Sequence, residues 1–273
     1  FSFDSTMLAA AIMRTEQVWR VTDGALASTI DGMSPLAASP TEGLWATFGP
    51  FSGASQGIHL WRTSDGQLVR TIPNALLHPN TMAFSPDGRL LVVASAPGDR
   101  PGVWQVADGR QVAQLNWPNA ERYYWQSVAF HPNANVVAAA GSDIGIDVQN
   151  VFVLWDAGRG AVIRELIGQN APSQQANIRR VRYTPDGSLL AAYFGDYSGQ
   201  ENWVQLWNSE GAPGGSWSLP GQASDIGFAP DGRLLAVVTD ESIYLYDPAG
   251  GNVVRQVEPV WHPGILPTPT PTP

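Results

Sequence analysis

The sequence predicts an all-β fold made of one antiparallel four-stranded unit that is repeated along the chain. The first observation is a turn between two strands, FSPDGRLLVVASA, at residues 84–96. Copies of this stretch occur at residues 130–142, 183–195 and 228–240, and weaker copies at residues 1–13 and 37–49. The second observation is a spacing of 46, 46, 53 and 45 residues between the turn prolines, which are Pro40, Pro86, Pro132, Pro185 and Pro230. Repeats of about 40–45 residues are typical of four-stranded units.

Each unit begins with a short alternating strand that leads into the turn, such as RVRY at residues 180–183. Proline at the second turn position fixes φ near −65°, the Asp that follows offers a side-chain acceptor, and Gly accepts a positive φ. The run after the turn is almost continuously apolar, such as LLVVASA at residues 90–96. Such a run predicts a strand that is buried on both faces.

The third strand of each unit ends in an aromatic residue, such as FVLWD at residues 152–156, and a second turn, often Asp-Gly, leads into a fourth strand. A repeated four-stranded unit is the signature of a β-propeller blade. Six blades are visible in the chain, and seven are possible in the intact protein. The strand-end tryptophans recur at one blade position, so we expect them to pack neighbouring blades together.

The SPDG turn, the buried strand of small residues and the Trp155-Asp156 dipeptide resemble bacterial WD-repeat (WD40-like) β-propellers. Trp207-Asn208 is close to the same dipeptide, and the Gly-His dipeptide of the stricter family is absent. The family's inner Asp–His–Ser/Thr–Trp hydrogen-bond network is therefore not carried over to this chain. The resemblance covers about residues 1–257 and implies a propeller scaffold, which hosts many functions.

The predicted propeller domain comprises residues 1–262, and residues 263–273 form a Pro/Thr-rich linker or tail that favours extended geometry. The first unit lacks most of its innermost strand, and PVWHP, which ends at residue 263, is expected to supply it through residues 258–262. The Pro/Thr stretch favours an extracellular or cell-surface location, with a cytoplasmic one as the alternative. It also indicates that the propeller is one module of a larger multidomain protein.

Composition excludes several classes of function. The net charge is −9, and all 15 basic side chains are arginines, which disfavours nucleic acid as a partner. One cluster of arginines, at Arg179, Arg180 and Arg182, is interpreted as ordinary charge on a strand and its rim. No apolar run approaches the roughly 18 residues of a membrane span, so no transmembrane segment is expected. The chain has no cysteine, and therefore no disulfide or thiolate chemistry.

Catalytic motifs are weak, and the sequence predicts a protein that is not an enzyme and binds no cofactor. The stretch GASQG would make Ser55 a nucleophile only between a strand and a helix, but here it lies between two strands and no helix is predicted. His59 is expected on a strand, and His131 in a turn. The turn aspartates Asp87, Asp186 and Asp231 occupy the same turn position in different units and serve local turn chemistry. A weak calcium candidate is the oxygen set of Asp143, Asp147 and Asn150.

The function predicted is a non-catalytic binding or scaffolding module that recognises its ligand on the face built by the long loops of blades 3–5. The partner expected is a protein or peptide, with a glycan as the other possibility, because Tyr, Trp and Arg are enriched in binding hot spots. The predicted ligand-face residues are Trp117, Arg122, Tyr123, Tyr124, Asp143, Asp147, Tyr197 and Glu201.

Two other functions and one other interpretation of the loops stay open. A hydrolase or lyase would use the central channel, but the inner strands offer mainly Ala, Val, Ile, Phe and Ser instead of several histidines or carboxylates. A purely structural assembly subunit is the other function. The aromatic residues of the long loops could also pack down and stiffen these loops without contacting a ligand.

Overall fold

The computed structural model describes residues 2, 4–12, 15–31, 33–49, 57–73, 79–143, 150–166, 177–196 and 201–258. In these residues, 23 strands form six antiparallel sheets, and the sheets are the blades of a β-propeller. The predicted all-β propeller is therefore confirmed. One short 3₁₀ helix, Ala120–Arg122, lies in the connection between blades 3 and 4, where the sequence predicted no helix.

The first three blades are built from strands β1–β11. Blade 1 has β1 (Met7–Ile12), β2 (Thr15–Arg20) and β3 (Leu26–Asp31). Blade 2 has β4 (Met33–Ala38), β5 (Leu44–Phe48), β6 (Gly57–Arg62) and β7 (Leu68–Pro73). Blade 3 has β8 (Pro79–Phe84), β9 (Leu90–Ser95), β10 (Gly102–Gln105) and β11 (Gln111–Gln114). His59 lies on β6, as predicted.

The last three blades contain β12–β23. Blade 4 has β12 (Tyr123–Phe130), β13 (Val136–Asp143), β14 (Asn150–Asp156) and β15 (Val162–Glu165). Blade 5 has β16 (Asn177–Tyr183), β17 (Leu189–Gly195), β18 (Asn202–Asn208) and β19 (Pro213–Ser218). Blade 6 has β20 (Ala223–Phe228), β21 (Leu235–Thr239), β22 (Ile243–Asp247) and β23 (Asn252–Val257).

The strands of every blade are paired in chain order. The first strands of blades 2–6 contact one another in order, from β4 through β8, β12 and β16 to β20, so these are the inner strands of the propeller. In the described residues, blade 1 has three strands instead of four, and β1 is at an edge of its sheet. No helix in the described residues is long and apolar enough to cross a bilayer.

The repeated turn is held by its own side chains. In blade 3, the Ser85 hydroxyl donates to Asp87 Oδ1 at 2.6 Å and accepts the Leu90 N–H at 2.9 Å. Asp87 Oδ1 also accepts the Arg89 N–H at 3.1 Å. Local turn chemistry, as predicted for the turn aspartates, therefore accounts for these carboxylates.

The same turns also connect one blade to the next. The Thr41 hydroxyl donates to the carbonyl oxygen of Asp87 at 3.0 Å, and the Asn133 side-chain amide donates to that of Asp186 at 2.8 Å. These bonds join turns that are 46 and 53 residues apart. His131 accepts the Asn133 N–H through Nδ1 at 3.1 Å, which confirms its role as a turn residue.

The core lies between neighbouring blades. Val92 and Val103 of blade 3 share one buried cluster with Val137 and Trp155 of blade 4. The prediction that strand-end aromatics pack blades together is confirmed, because each of four such residues is buried in a cluster that contains residues of the neighbouring blade. These residues are Trp104, Trp155, Trp207 and Tyr246. A hydrogen bond of the Ser/Thr–Trp kind does occur in blade 2, where Trp61 Nε1 donates to Thr47 Oγ1 at 2.8 Å.

Candidate functional site

The loops of blades 3 and 4 are bonded to each other, and we call residues 96–101 and 115–124 the loop face. The Gly98 N–H donates to the carbonyl oxygen of Glu121 at 2.8 Å. Arg100 forms an ion pair with Glu121 at 2.9 Å, and its Nη1 donates to the carbonyl oxygen of Trp117 at 3.3 Å. Because these bonds cross between two loops, they fix the loops relative to the strands beneath them.

Two exposed side chains of the loop face are held by residues outside it. Arg122 Nη2 donates to Asp143 Oδ2 at 2.7 Å, although 58% of the Arg122 side chain stays exposed. The Tyr124 hydroxyl donates to Asn80 Oδ1 at 3.3 Å, and 38% of the residue is exposed. The Asn80 amide in turn donates to the carbonyl oxygen of Trp125 at 3.3 Å.

Two of the predicted ligand-face aromatics are partly buried. Trp117 and Tyr123 pack against the core cluster shared by blades 3 and 4. The indole N–H of Trp125, in the same cluster, donates to the carbonyl oxygen of Ala120 at 2.9 Å. For Trp117 and Tyr123 the structure therefore favours the alternative in which aromatics stiffen the loops. The exposed aromatic ring is that of Tyr124.

The blade 5 part of the predicted face is only partly described. The Glu201 N–H donates to Asp196 Oδ1 at 3.2 Å, and the Asp196 N–H donates to the carbonyl oxygen of Glu201 at 3.1 Å. Both of these hydrogen bonds stay within the loop that joins Asp196 to Glu201. Tyr197 and Asp147 lie outside the described residues, so their place on the ligand face stays a prediction.

The calcium hypothesis also stays a prediction. Asp143 is paired with Arg122, and Asn150 lies opposite Ser142 in the β13–β14 ladder, so both flank the connection that contains Asp147. In the part of the chain that the structure describes, no group of three His, Asp or Glu side chains could hold a metal ion. Ser55, the weak nucleophile candidate, lies outside the described residues as well.

A central channel passes between the inner strands of blades 2–6 and has a volume of about 850 Å³. Several small residues of the inner strands line it. Each turn begins at the residue before its proline, such as Ser85 in blade 3. Two residues before that point, four inner strands carry a small residue and the inner strand of blade 5 carries an arginine. These residues are Ala37, Ala83, Ala129, Arg182 and Gly227, and all line the channel. The residues four positions before the turn include Thr81, Ser127, Arg180 and Asp225, which also line it.

The channel contains an ion-paired cluster. Asp225 Oδ1 lies 3.4 Å from Arg180 Nε and 3.1 Å from Arg182 Nη2. Arg180 and Arg182 lie on a strand, as interpreted from the sequence, and the structure adds that both line the channel. They alternate on β16, and alternate residues of a strand point to the same side, which here is the channel. Burial lowers the pKa of Arg182, although Asp225 opposes this effect.

This channel offers little acid–base chemistry. Among the described residues that line it, Asp225 is the one carboxylate, and histidine is absent. Tyr183 lines the channel too, but burial raises the pKa of its hydroxyl, and its ring packs edge-on against His131 at 4.9 Å. The groups that a channel hydrolase would need, a nucleophile beside a positioned base, are not assembled by these described residues.

The fold of this chain is also found in known proteins. No protein-family model matches the chain. A curated protein from Takifugu rubripes, WD repeat and SOCS box-containing protein 1, is 25% identical over 101 residues. The match covers 37% of this chain and only 23% of that protein's length.

A solved structure of Kuenenia stuttgartiensis hydrazine synthase is similar to this chain with a TM-score of 0.76. That likeness covers 94% of this chain and 85% of that chain, at 15% sequence identity, so it concerns the fold alone. Together with the repeated turn and the six blades, these likenesses identify the fold of the chain as a WD40-like β-propeller.

Proposed function

We propose that this propeller is a non-catalytic binding module that recognises a protein or peptide on the loop face. The fold and the partial likeness to a WD-repeat protein fit such a module. The observation that carries the proposal is that Arg122 and Tyr124 are exposed and yet fixed, through Asp143 and Asn80, on loops that are bonded to each other. Side chains that are ordered before binding lose less conformational entropy when a partner arrives.

The chemistry of the two exposed side chains suits a peptide backbone and its side chains. Arginine offers five N–H donors in a planar fork, and tyrosine combines a large apolar ring with a polar end. The Asp143 carboxylate neutralises Arg122, so the pair does not select for charge alone. Trp117 and Tyr123 contribute by supporting the loops from below.

The test is a peptide-display selection against the whole chain, followed by affinity measurements on the selected peptides. The double variant Arg122→Ala, Tyr124→Ala should weaken binding by about tenfold or more, as expected for central hot-spot residues. The matched control is Arg89→Ala with Arg159→Ala, which removes two exposed turn arginines. Trp117 is left intact because its replacement would disturb the core.

The proposal predicts that the control retains the affinity of the parent. It would be overturned by peptides that bind the loop-face double variant and the parent equally well, provided that both proteins have the same melting temperature. A selection dominated by peptides that the Arg89 and Arg159 control loses would place the ligand on the turns instead.

A further inference from the structure

We infer that the central channel contains a binding site for a single carboxylate group, formed by Arg180 and Arg182, which we call the channel arginines. The natural source of such a group is a peptide segment that enters the channel. The inference goes beyond the proposed loop-face function, because it concerns a different part of the propeller and a different chemistry.

The first argument is the placement of the channel arginines. At the level of Arg182, the other inner strands carry Ala37, Ala83, Ala129 and Gly227. Packing between blades does not require a long cationic side chain at this position, because four of the five inner strands have a small residue there. Both channel arginines come from one strand, so their guanidinium groups reach the channel side by side.

The second argument is charge. Two guanidinium groups share one carboxylate, that of Asp225, so the cluster has a net charge of +1 in a protein whose net charge is −9. A monoanion would complete the neutralisation, whereas a phosphate dianion would add excess negative charge beside Asp225. This balance favours a carboxylate over a phosphate group.

The third argument is the supply of hydrogen-bond donors. Arg180 holds Nε at ion-pair distance from Asp225 and donates through Nη1 to the carbonyl oxygen of Arg179 at 2.9 Å. Arg182 uses Nη2 for Asp225 and Nη1 for the carbonyl oxygen of Val181 at 3.0 Å. Within the described residues, Arg180 Nη2 and Arg182 Nε are left for another acceptor. Pairs of N–H donors are what a carboxylate accepts best.

The fourth argument is space and access. The channel arginines keep 39% and 37% of their side-chain surface exposed, although they lie inside the propeller. Gly227 lies beside them on β20, and a methyl group added there would meet no atom within 4 Å. The channel volume of about 850 Å³ far exceeds one carboxylate, so a chain segment attached to that carboxylate has room as well.

The competing explanation is that Asp225 and the channel arginines only tie blade 6 to blade 5. The two explanations differ in one measurable respect, which is saturable binding of a small carboxylate. The probe is sodium acetate, added to the ¹⁵N-labelled whole chain at constant ionic strength with sodium chloride as the balancing salt. The signals followed by NMR are the Nε–H groups of the channel arginines and the amide of Gly227.

We expect all three signals to shift along one saturating curve with acetate and to show no saturable shift with chloride alone. Inorganic phosphate at pH 7.5 should bind more weakly than acetate. Asp225→Asn should tighten acetate binding several-fold and bring phosphate up to or beyond acetate, because it removes the repelling carboxylate. Arg182→Gln should abolish the saturable shift of Gly227.

Gly227→Leu is the steric variant, since it fills the free space beside the channel arginines without removing a charge. It should block acetate while leaving the melting temperature close to that of the parent. Its use does not depend on the stability of the Arg182→Gln protein. The inference is wrong if acetate and chloride give the same shifts, or if Gly227→Leu binds acetate as well as the parent does.

Two acetylated alanine pentapeptides then identify the source of the carboxylate. One ends in a free carboxyl group, and the other is amidated and carries glutamate at its centre. The tighter binder shows whether the channel prefers a chain terminus or a side chain, and binding of neither overturns the peptide part of the inference. Because the reporting signals lie in the channel, none of these outcomes depends on whether the loop face binds a partner.

Discussion

Gly160 of blade 4 lies directly against Gln114 of blade 3. Gly160 has a φ of +72°, and a methyl group added to it would overlap the carbonyl oxygen of Gln114. The Asn116 N–H donates to the carbonyl oxygen of Gly160 at 2.7 Å and holds the two blades at this distance. The second turn of the blade is therefore also a contact between blades.

Replacing Gly160 by alanine should destabilise the protein through both effects. The positive φ costs a non-glycine residue about 1–2 kcal/mol, and the overlap with Gln114 adds to it. We expect Gly160→Ala to lower the free energy of unfolding by at least about 2 kcal/mol in urea titrations. Gly24→Ala is the matched control, because Gly24 has a φ of +67° but no atom within 4 Å of an added methyl group. Equal losses in the two variants would show that blade packing contributes nothing at Gly160.

The turn of blade 5 should make the stability of the folded protein depend on pH. The Thr184 hydroxyl donates to Asp186 Oδ1 at 2.7 Å, and the Ser188 backbone and hydroxyl donate to the same oxygen. These bonds, that of Thr184 first, lower the pKa of Asp186 from 3.8 to about 2. A depressed carboxyl pKa stabilises the folded state above the unfolded pKa, and this stabilisation is lost as the pH falls from about 4 through 2.

The measurement is an NMR titration of the Asp186 carboxyl carbon in two variants. Thr184→Val removes the donor and should raise the pKa of Asp186 towards its ordinary value, whereas Thr184→Ser should leave it low. The melting temperature of Thr184→Val should also fall less steeply between pH 4 and pH 2 than that of Thr184→Ser. If the Asp186 pKa is the same in both variants, the Thr184 hydroxyl is not its main cause.

The bond between Trp61 and Thr47 should contribute measurably to stability. Thr47 is fully buried, and its hydroxyl accepts the Trp61 indole N–H at 2.8 Å. Thr47→Val keeps the shape and leaves the N–H without this acceptor, which typically costs about 1–3 kcal/mol. Thr47→Ser retains the hydroxyl and loses only a methyl group. Unfolding in urea should place Thr47→Val below Thr47→Ser, and the reverse order would show that the methyl group matters more.

The fold could be predicted from the sequence because the repeated turn is determined locally. Ser85 and Asp87 bond to atoms within five residues of themselves, so variants of one short motif can mark the ends of the inner strands. The contact between Gly160 and Gln114 could not be predicted in this way, because it depends on how two blades stack.

The candidate sites were predicted less completely, for a related reason. The long loops were recognised by length and composition, but which side chain stays exposed depends on packing, as Trp117 and Tyr124 show. The channel arginines were visible as a cluster, but they were interpreted as ordinary charge on a strand and its rim. Counting back two and four residues from the turn would have placed Arg182 and Arg180 in the channel, since alternate residues share one side of a strand.

The last prediction concerns the edge of blade 1. In the described residues, β1 has one paired side, towards β2, and Leu8 on this strand is exposed. Unpaired strand edges invite aggregation. We therefore predict that residues 258–262 pair with β1 and complete the blade. Deleting residues 258–273 should lower the melting temperature sharply and promote aggregation, whereas deleting residues 267–273 should change neither property.

A point variant separates strand pairing from the general effect of a shorter chain. Val260→Pro removes one backbone N–H, and proline inside a paired strand breaks the hydrogen-bond ladder. It should reproduce much of the loss seen in the longer deletion, while Val260→Thr, which keeps the N–H and the β-branched shape, should not. Scanning calorimetry measures the melting temperature, and light scattering measures aggregation, of the two deletions, the two point variants and the parent. Equal melting temperatures for the two deletions would mean that residues 258–262 do not close the blade.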